Sequence, residues 1–165
     1  MLLEKDFVDF FNLLNKFEVD YMVVGGYALA FHGEPRTTGD MDIWIDCTAA
    51  NAGKLVRVIQ NFGMGGLGLT EKDFLEPGII TQIGYPPLRI DILTEIDGLQ
   101  FKDAVENRKH FKQGTMKIAF IGRDDFIKNK EAAGRKKDLQ DVKRLMSKTR
   151  AEKAAKSRSF QKKKR

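Results

Sequence analysis

Two aspartates, Asp40 and Asp42, stand one residue apart in the stretch DMDIWID. Residues i and i+2 of a β-strand point to the same face, so the two carboxylates project together from Cα atoms about 6.5–7 Å apart. Like charges this close cost stability, and a divalent cation such as Mg²⁺, which prefers carboxylate oxygens and substrate phosphates, removes that cost. The spacing predicts a magnesium site. The alternative is a polar strand face turned to solvent, which the neighbouring Ile43 and Trp44 disfavour.

A third carboxylate, Asp91, lies in the apolar stretch LRIDIL. A charge flanked by isoleucines is costly unless it has a partner. If the two acidic strands are neighbours, Asp91 completes the cluster, and two Mg²⁺ ions about 4 Å apart could clamp the attacking and leaving oxygens of a phosphoryl displacement. Asp46 and Asp97 are weaker candidates, because one ends its strand and the other precedes a turn glycine.

The glycine pair Gly25-Gly26 follows the apolar run YMVV. Glycine lets a phosphate approach the backbone closely, and a helix that begins there would present N–H donors and a positive dipole. These two residues are therefore candidates for binding a triphosphate. The alternative is that they only make the turn from strand to helix sharp.

The loop GEPRTTG, residues 33–39, joins this helix to the acidic strand. The guanidinium of Arg36 could reach the β- and γ-phosphates of a nucleotide, or it could pair with Glu34. Thr38 could donate its hydroxyl to a phosphate, although a role in the turn is equally consistent with its position.

Apolar periodicity and turn residues predict helices and strands mixed along the chain. The arrangement favours a small mixed β-sheet flanked by helices, of the α/β (α+β) class, over a doubly wound parallel sheet. The predicted strands cover 20–24, 41–45, 78–84, 88–93 and 116–121, and the predicted helices cover 3–17, 27–32, 49–62, 101–107, 124–133 and 137–148.

Charge divides the chain into two parts. Residues 143–165 carry eleven Lys or Arg against one acid, whereas residues 1–142 carry eighteen against twenty-two. We therefore expect a domain over 1–148 and a basic C-terminal tail over 149–165. The tail could attract RNA or tRNA in a salt-dependent way, or it could serve only as a solubilising terminus.

The sequence also indicates a compartment. It contains one cysteine, Cys47, so no internal disulfide can form. No run is long and apolar enough for a membrane span, and no apolar signal segment follows Met1. We expect a cytoplasmic protein without membrane contact.

The order of these motifs resembles the signature of the nucleotidyltransferase superfamily related to DNA polymerase β. The resemblance rests on Gly25-Gly26, a gap of thirteen residues, Asp40-x-Asp42 and the later Asp91. It is closest to minimal bacterial and archaeal members, which include the enzymes of toxin–antitoxin systems and small antibiotic-modifying enzymes. The stretch KNKEAAGRKKDLQDV, residues 128–142, also resembles a recurrent feature of that group.

The resemblance implies the nucleotidyltransferase fold and a reaction. An NTP such as ATP would give its nucleoside monophosphate to a hydroxyl of RNA, tRNA, a protein or a small molecule, with release of pyrophosphate. Asp40 and Asp42 would hold Mg²⁺, Asp91 would complete the site and accept the proton, and Gly25 and Gly26 would hold the triphosphate. The acceptor and the preferred NTP stay open.

Two later cations also follow from the resemblance. Lys130 and Arg135 flank a helix end and would face the nucleotide. The alternative is that they are solvated helix charges or pair with Asp138 or Asp141. The alternative function is a nucleotidyltransferase-fold antitoxin or regulator that acts mainly by binding a protein or nucleic-acid partner.

Overall fold

A computed structural model describes the backbone of residues 3–34 and 38–162 and the side chains up to residue 151. Six strands and six α-helices are interspersed along these residues. The strands are β1 (Tyr21–Val23), β2 (Asp40–Ile45), β3 (Ile80–Tyr85), β4 (Leu88–Leu93), β5 (Lys109–Gln113) and β6 (Met116–Phe120). The helices are α1 (Lys5–Lys16), α2 (Gly25–Phe31), α3 (Ala49–Ile59), α4 (Phe101–Ala104), α5 (Arg123–Ala133) and α6 (Lys136–Lys162), with short helical turns after α3 and α4 and before β3.

The strands form one mixed sheet in the order β3-β4-β2-β1-β6-β5. β2 runs parallel to β4 and β1 runs parallel to β6, whereas the other neighbours are antiparallel. This confirms the predicted mixed sheet flanked by helices. The pairing of β2 with β4 also makes the two acidic strands direct neighbours, as the cluster of three carboxylates requires.

The hydrophobic core lies around the central strands. β1 is fully buried, and from Ile43 onward every residue of β2 is buried. Helix α1 turns Phe7, Phe10, Phe11 and Leu14 inward, and it contacts β6 and α3. The α1 residues recur at helical spacing in the sequence, which is why its position on the sheet could be expected. The rigid centre of the sheet fixes the strand from which Asp40 and Asp42 project.

Strand β5 was not predicted. Its sequence, KHFKQ, buries only part of Phe111 and exposes the other four side chains. It pairs with β6 alone, at one edge of the sheet. Charged residues on an edge strand discourage pairing with other chains, and they also erase the alternation by which a strand is recognised in sequence.

Helix α6 is longer than the predicted helix 137–148, since it continues to Lys162. The segment beyond residue 148 holds no Gly or Pro and is rich in Ala, Lys and Arg, all of which favour helix. The prediction had treated this segment as a basic tail outside the helix. The division into a domain and a functional tail stays a prediction.

Helix α6 also holds the end of α2. Lys148 donates a hydrogen bond to the carbonyl of Gly33 and lies 3.6 Å from a carboxylate oxygen of Glu34. Nearby, Arg123 of α5 donates to the carbonyl of Leu145 and the hydroxyl of Thr149. The start of the loop before β2 is thus tied to the C-terminal half of the chain. None of the helices within the described ranges is long and apolar enough to cross a membrane.

Candidate active site

The three predicted carboxylates project from one face of two adjacent strands. In the parallel pairing of β2 with β4, Asp42 lies beside Asp91 and Asp40 lies beside Arg89. Paired residues on parallel strands point to the same face of the sheet. Met41 and Ile43 take the opposite face and are buried, as their alternation with the aspartates predicts.

Arg89 occupies the space between two of these carboxylates. Its Nε donates to Asp91 Oδ1 at 2.7 Å, and its Nη2 donates both to Asp91 Oδ2 at 3.0 Å and to Asp40 Oδ2 at 2.9 Å. Gln82 of β3 adds a longer contact to Asp91 Oδ2 at 3.5 Å. The guanidinium therefore neutralises charge on Asp40 and Asp91 together.

The sequence reasoning missed Arg89, although the signal was present. Arg89 stands two residues before Asp91, so the rule that placed Asp40 with Asp42 also places Arg89 with Asp91. Because both oxygens of Asp91 accept hydrogen bonds from Arg89, this carboxylate is poorly arranged to take a proton in the conformation seen. Its expected role as the base stays a prediction that requires Arg89 to move.

Asp42 is the carboxylate that carries an unrelieved charge. Burial, followed by the nearby negative charge of Asp91, raises the pKa of Asp42 from 3.8 to about 6, against an opposing effect of Lys130. Among the described residues no hydrogen bond or ion pair holds its carboxylate. A group in this state gains from a nearby cation, since an opposite charge favours the ionised form.

Gly25 makes room for Asp42. It begins α2 with a φ of +61°, and a Cβ at this position would lie 2.0 Å from Asp42 Oδ2. A Cβ on Gly26 would lie 2.9 Å from the methyl carbon of Thr38. The glycine pair therefore serves close packing of the α2 terminus against β2 and the residues before it. The residue before α2, Val24, has no polar side chain to cap the helix.

Lys130 and Arg135 converge on one acid. Lys130 Nζ lies 2.5 Å from Asp138 Oδ1, and Arg135 Nε lies 2.5 Å from Asp138 Oδ2. Burial raises the pKa of Asp138, but the hydrogen bonds from the two cations outweigh it and hold this pKa below its ordinary value. The geometry thus shows the pairing with Asp138 that the sequence left as the alternative.

The pairing does not take the two cations out of the site. Lys130 is only 6% exposed, yet its charge lowers the pKa of Asp42, so it lies near the carboxylates across the cleft. Arg135 keeps most of its side chain in solvent. Asp138 holds both cations in place while leaving them facing the same space.

A cleft of about 1190 Å³ unites most of the predicted site. Pockets for small ligands commonly have volumes of about 300–1,000 Å³, so the cleft has room for a nucleotide and part of an acceptor. Its far wall comes from residues 95–107 and from α5. Asp91 is not among the residues that line the cleft, and Arg36 lies outside the described residues. The predicted site residues that line the cleft are Gly25, Gly26, Thr38, Asp40, Asp42, Lys130 and Arg135.

The donor set suits Mg²⁺ at Asp40 and Asp42. Both are hard carboxylate oxygens at the mouth of a cleft, and Asp42 has a charge that a cation would compensate. Within the described residues, however, no group of three His, Cys, Asp or Glu side chains is arranged as a ready metal site.

Comparisons with known proteins identify no family for the chain. No protein-family model matches it, and no curated relative does. Among solved structures, it is similar to a protein of Thermotoga maritima described as a candidate nucleotidyltransferase, with a TM-score of 0.49 and 14% sequence identity over 93% of this chain and 89% of the other. Neither number identifies an activity for this chain.

Proposed function

We propose that the protein is a Mg²⁺-dependent nucleotidyltransferase that moves a nucleoside monophosphate from an NTP to a hydroxyl acceptor and releases pyrophosphate. One observation carries the proposal. Asp40, Asp42 and Asp91 project from one face of two parallel strands, beside a cleft that also holds Gly25, Gly26 and Lys130. Carboxylates on one side and cations on the other match the needs of a bound metal triphosphate.

The residues of this chain have distinct tasks in the proposed reaction. Asp40 and Asp42 hold the magnesium, which supplies neutralisation of the triphosphate and a lower pKa for the acceptor hydroxyl. Lys130 and Arg135 attract the phosphate oxygens from the opposite side of the cleft. The start of α2 lets a phosphate approach the backbone at Gly26. Arg36 and Thr38 are proposed to contact the same phosphates from the loop before β2.

The cleft is large enough to hold a second molecule, the acceptor, in line with the bound nucleotide. Phosphoryl transfer depends mainly on positioning and on electrostatic stabilisation. The part of the cleft beyond the carboxylates, along residues 95–107, is therefore the proposed place for the acceptor. Candidate acceptors are RNA or tRNA, a protein hydroxyl and a small molecule.

Transfer of label tests the proposal directly. The purified protein is incubated with Mg²⁺, each α-labelled NTP in turn, and RNA, tRNA, protein and small-molecule acceptors, and the products are separated by mass. Asp42→Asn should abolish transfer. Asp46→Asn is the matched control, because Asp46 lies just beyond the same strand but does not line the cleft. Equal activity of the Asp42 variant and the wild type would exclude this site.

A second candidate function is binding without catalysis, as an antitoxin or regulator with a protein or nucleic-acid partner. The ion pairs of Arg89 favour it, because they neutralise Asp40 and Asp91 without a metal ion. The basic C-terminal segment is the proposed contact for nucleic acid. If the wild type transfers label and Asp42→Asn does not, the protein acts as an enzyme. Tight binding of a small helical partner by a protein that transfers nothing would decide for the regulator.

A further inference from the structure

Arg89 stands where a cation shared by two carboxylates would stand. A single nitrogen, Nη2, contacts one oxygen of Asp40 and one oxygen of Asp91, at 2.9 and 3.0 Å. The side chain is only partly exposed, at 25%. Its second contact, from Nε to Asp91, fixes the plane of the guanidinium. The arrangement is a bidentate grip on Asp91 with one additional bond to Asp40.

This position conflicts with a divalent ion on the same oxygen. Mg²⁺ binds carboxylate oxygens at about 2.0–2.1 Å. An ion on Asp40 Oδ2 would therefore lie within about 5 Å of Nη2, given its 2.9 Å hydrogen bond to that oxygen. Two cations at this distance in a partly buried site repel each other. The guanidinium and the metal ion compete for Asp40.

The neighbouring strand places no side chain opposite Arg89. Its partner across the β3–β4 ladder is Gly84. The next position on the same face is Gln82, which contacts Asp91 and not Arg89. Because Nη2 makes both the Asp40 and the Asp91 Oδ2 contacts, its departure frees one oxygen of each carboxylate. The Nε bond can hold the other oxygen of Asp91.

The geometry points to Arg89 as an internal counter-ion that holds the carboxylates together without metal and is displaced from Asp40 when a divalent cation binds. Arg89 is thus a positioning residue, and it sets how tightly the cluster binds its cation. The inference rests on the proposed function, since it takes the metal site at Asp40 and Asp42 as given. It adds that an oxygen of Asp40, one of the two carboxylates of this site, is occupied by the guanidinium of Arg89 until the ion arrives.

Mn²⁺ binding without nucleotide tests the inference, with free Mn²⁺ followed by electron paramagnetic resonance. Arg89→Met should bind Mn²⁺ about tenfold more tightly than the wild type or better, because a charged hydrogen bond no longer has to be broken. Arg89→Lys keeps the charge but cannot bridge both carboxylates, so its affinity should fall between the two. Arg108→Met is the matched control, since it removes the same charge from a half-exposed ion pair with Asp20, and its affinity should equal that of the wild type.

A wild-type measurement covers the case in which Arg89→Met does not fold. The Nε–H of Arg89 gives its own signal in a ¹⁵N correlation spectrum, assigned by its loss in Arg89→Lys. Saturating Mg²⁺ should shift this signal, because the guanidinium loses the hydrogen bonds of Nη2 while Nε keeps its bond to Asp91. An unchanged signal, or an Arg89→Met protein that binds Mn²⁺ no more tightly than the wild type, overturns the inference.

The two proposals fail in different ways. If Asp42→Asn abolishes Mn²⁺ binding while Arg89→Met and the wild type bind equally, the metal site stands and the role of Arg89 falls. If Arg89→Met binds more tightly but no NTP label is transferred to any acceptor, the counter-ion role stands and the proposed transferase activity falls.

Discussion

Asp42→Asn should make the protein more stable in the absence of a divalent cation while removing the proposed activity. The structure gives the reason, because Asp42 is ionised in a partly buried place without a partner among the described residues. Its pKa of about 6, against 3.8 for the free side chain, corresponds to about 3 kcal/mol of destabilisation at neutral pH. Solvent in the cleft screens part of this destabilisation, so we expect Asp42→Asn to raise the free energy of unfolding by about 2 kcal/mol.

The difference in stability between Asp42→Asn and the wild type depends on pH. The raised pKa means that the folded state keeps a proton on Asp42 that the unfolded chain has already lost. Between about pH 4 and 6 the wild type therefore loses stability relative to Asp42→Asn as the pH rises, and above this window the difference is constant. Below the window both states are protonated, and the advantage of the variant disappears.

Thermal and urea unfolding in EDTA measure the effect. Asp42→Asn should melt about 4–8 °C above the wild type at pH 7.5, with a gain that shrinks markedly at pH 4.5. Asp91→Asn is the contrasting variant, because it breaks the bidentate pair with Arg89, and we expect it to lose about 1–3 kcal/mol. A destabilised Asp42→Asn, or a gain that does not depend on pH, would refute the account of Asp42.

Three further results are expected. Gly25→Ala should lose more stability than Gly114→Ala in urea unfolding, because both positions have a positive φ near +60° but only at Gly25 would the new Cβ clash, 2.0 Å from Asp42 Oδ2; equal losses would mean that the contact is unimportant. Lys130→Met should raise the KM for NTP at least about tenfold and lower the melting temperature, since it removes a buried charged hydrogen bond, and an unchanged KM would assign this lysine to structure alone. Deleting residues 152–165 should leave label transfer to a small acceptor intact and weaken binding to RNA. The RNA affinity of the wild type should fall steeply with salt. If the wild type and the deletion variant bind RNA with identical affinity at all salt concentrations, the tail does not contact RNA.

The parts of the fold that could be predicted from the sequence are those in which apolar residues recur at regular spacing. The phenylalanines of α1 recur at helical spacing, and the acids of β2 alternate with buried residues. Strand β5 lies at an edge and buries almost nothing, so no alternation marks it. The predicted helix ended at residue 148 because the residues beyond it were interpreted as a basic tail, although these residues themselves favour helix.

The site also has a part that the sequence predicted and a part that it did not. The i, i+2 rule placed Asp40 with Asp42, and the strand pairing then placed Asp91 beside them. The sequence already offered Asp138 as a partner of Lys130, and the spacing of Arg89 and Asp91 places both on one strand face. That Arg89 also reaches Asp40 depends on the pairing of β2 with β4, which no local spacing encodes.

The bond from Lys148 to the carbonyl of Gly33 has a consequence for how the molecule opens. It links the start of the segment before β2 to helix α6, more than a hundred residues further along the chain. The end of α2 and the middle of α6 should therefore exchange their amide hydrogens as one cooperative unit. A molecule that binds the C-terminal helix and displaces it would break the bond of Lys148 to Gly33 and release the start of the segment before β2.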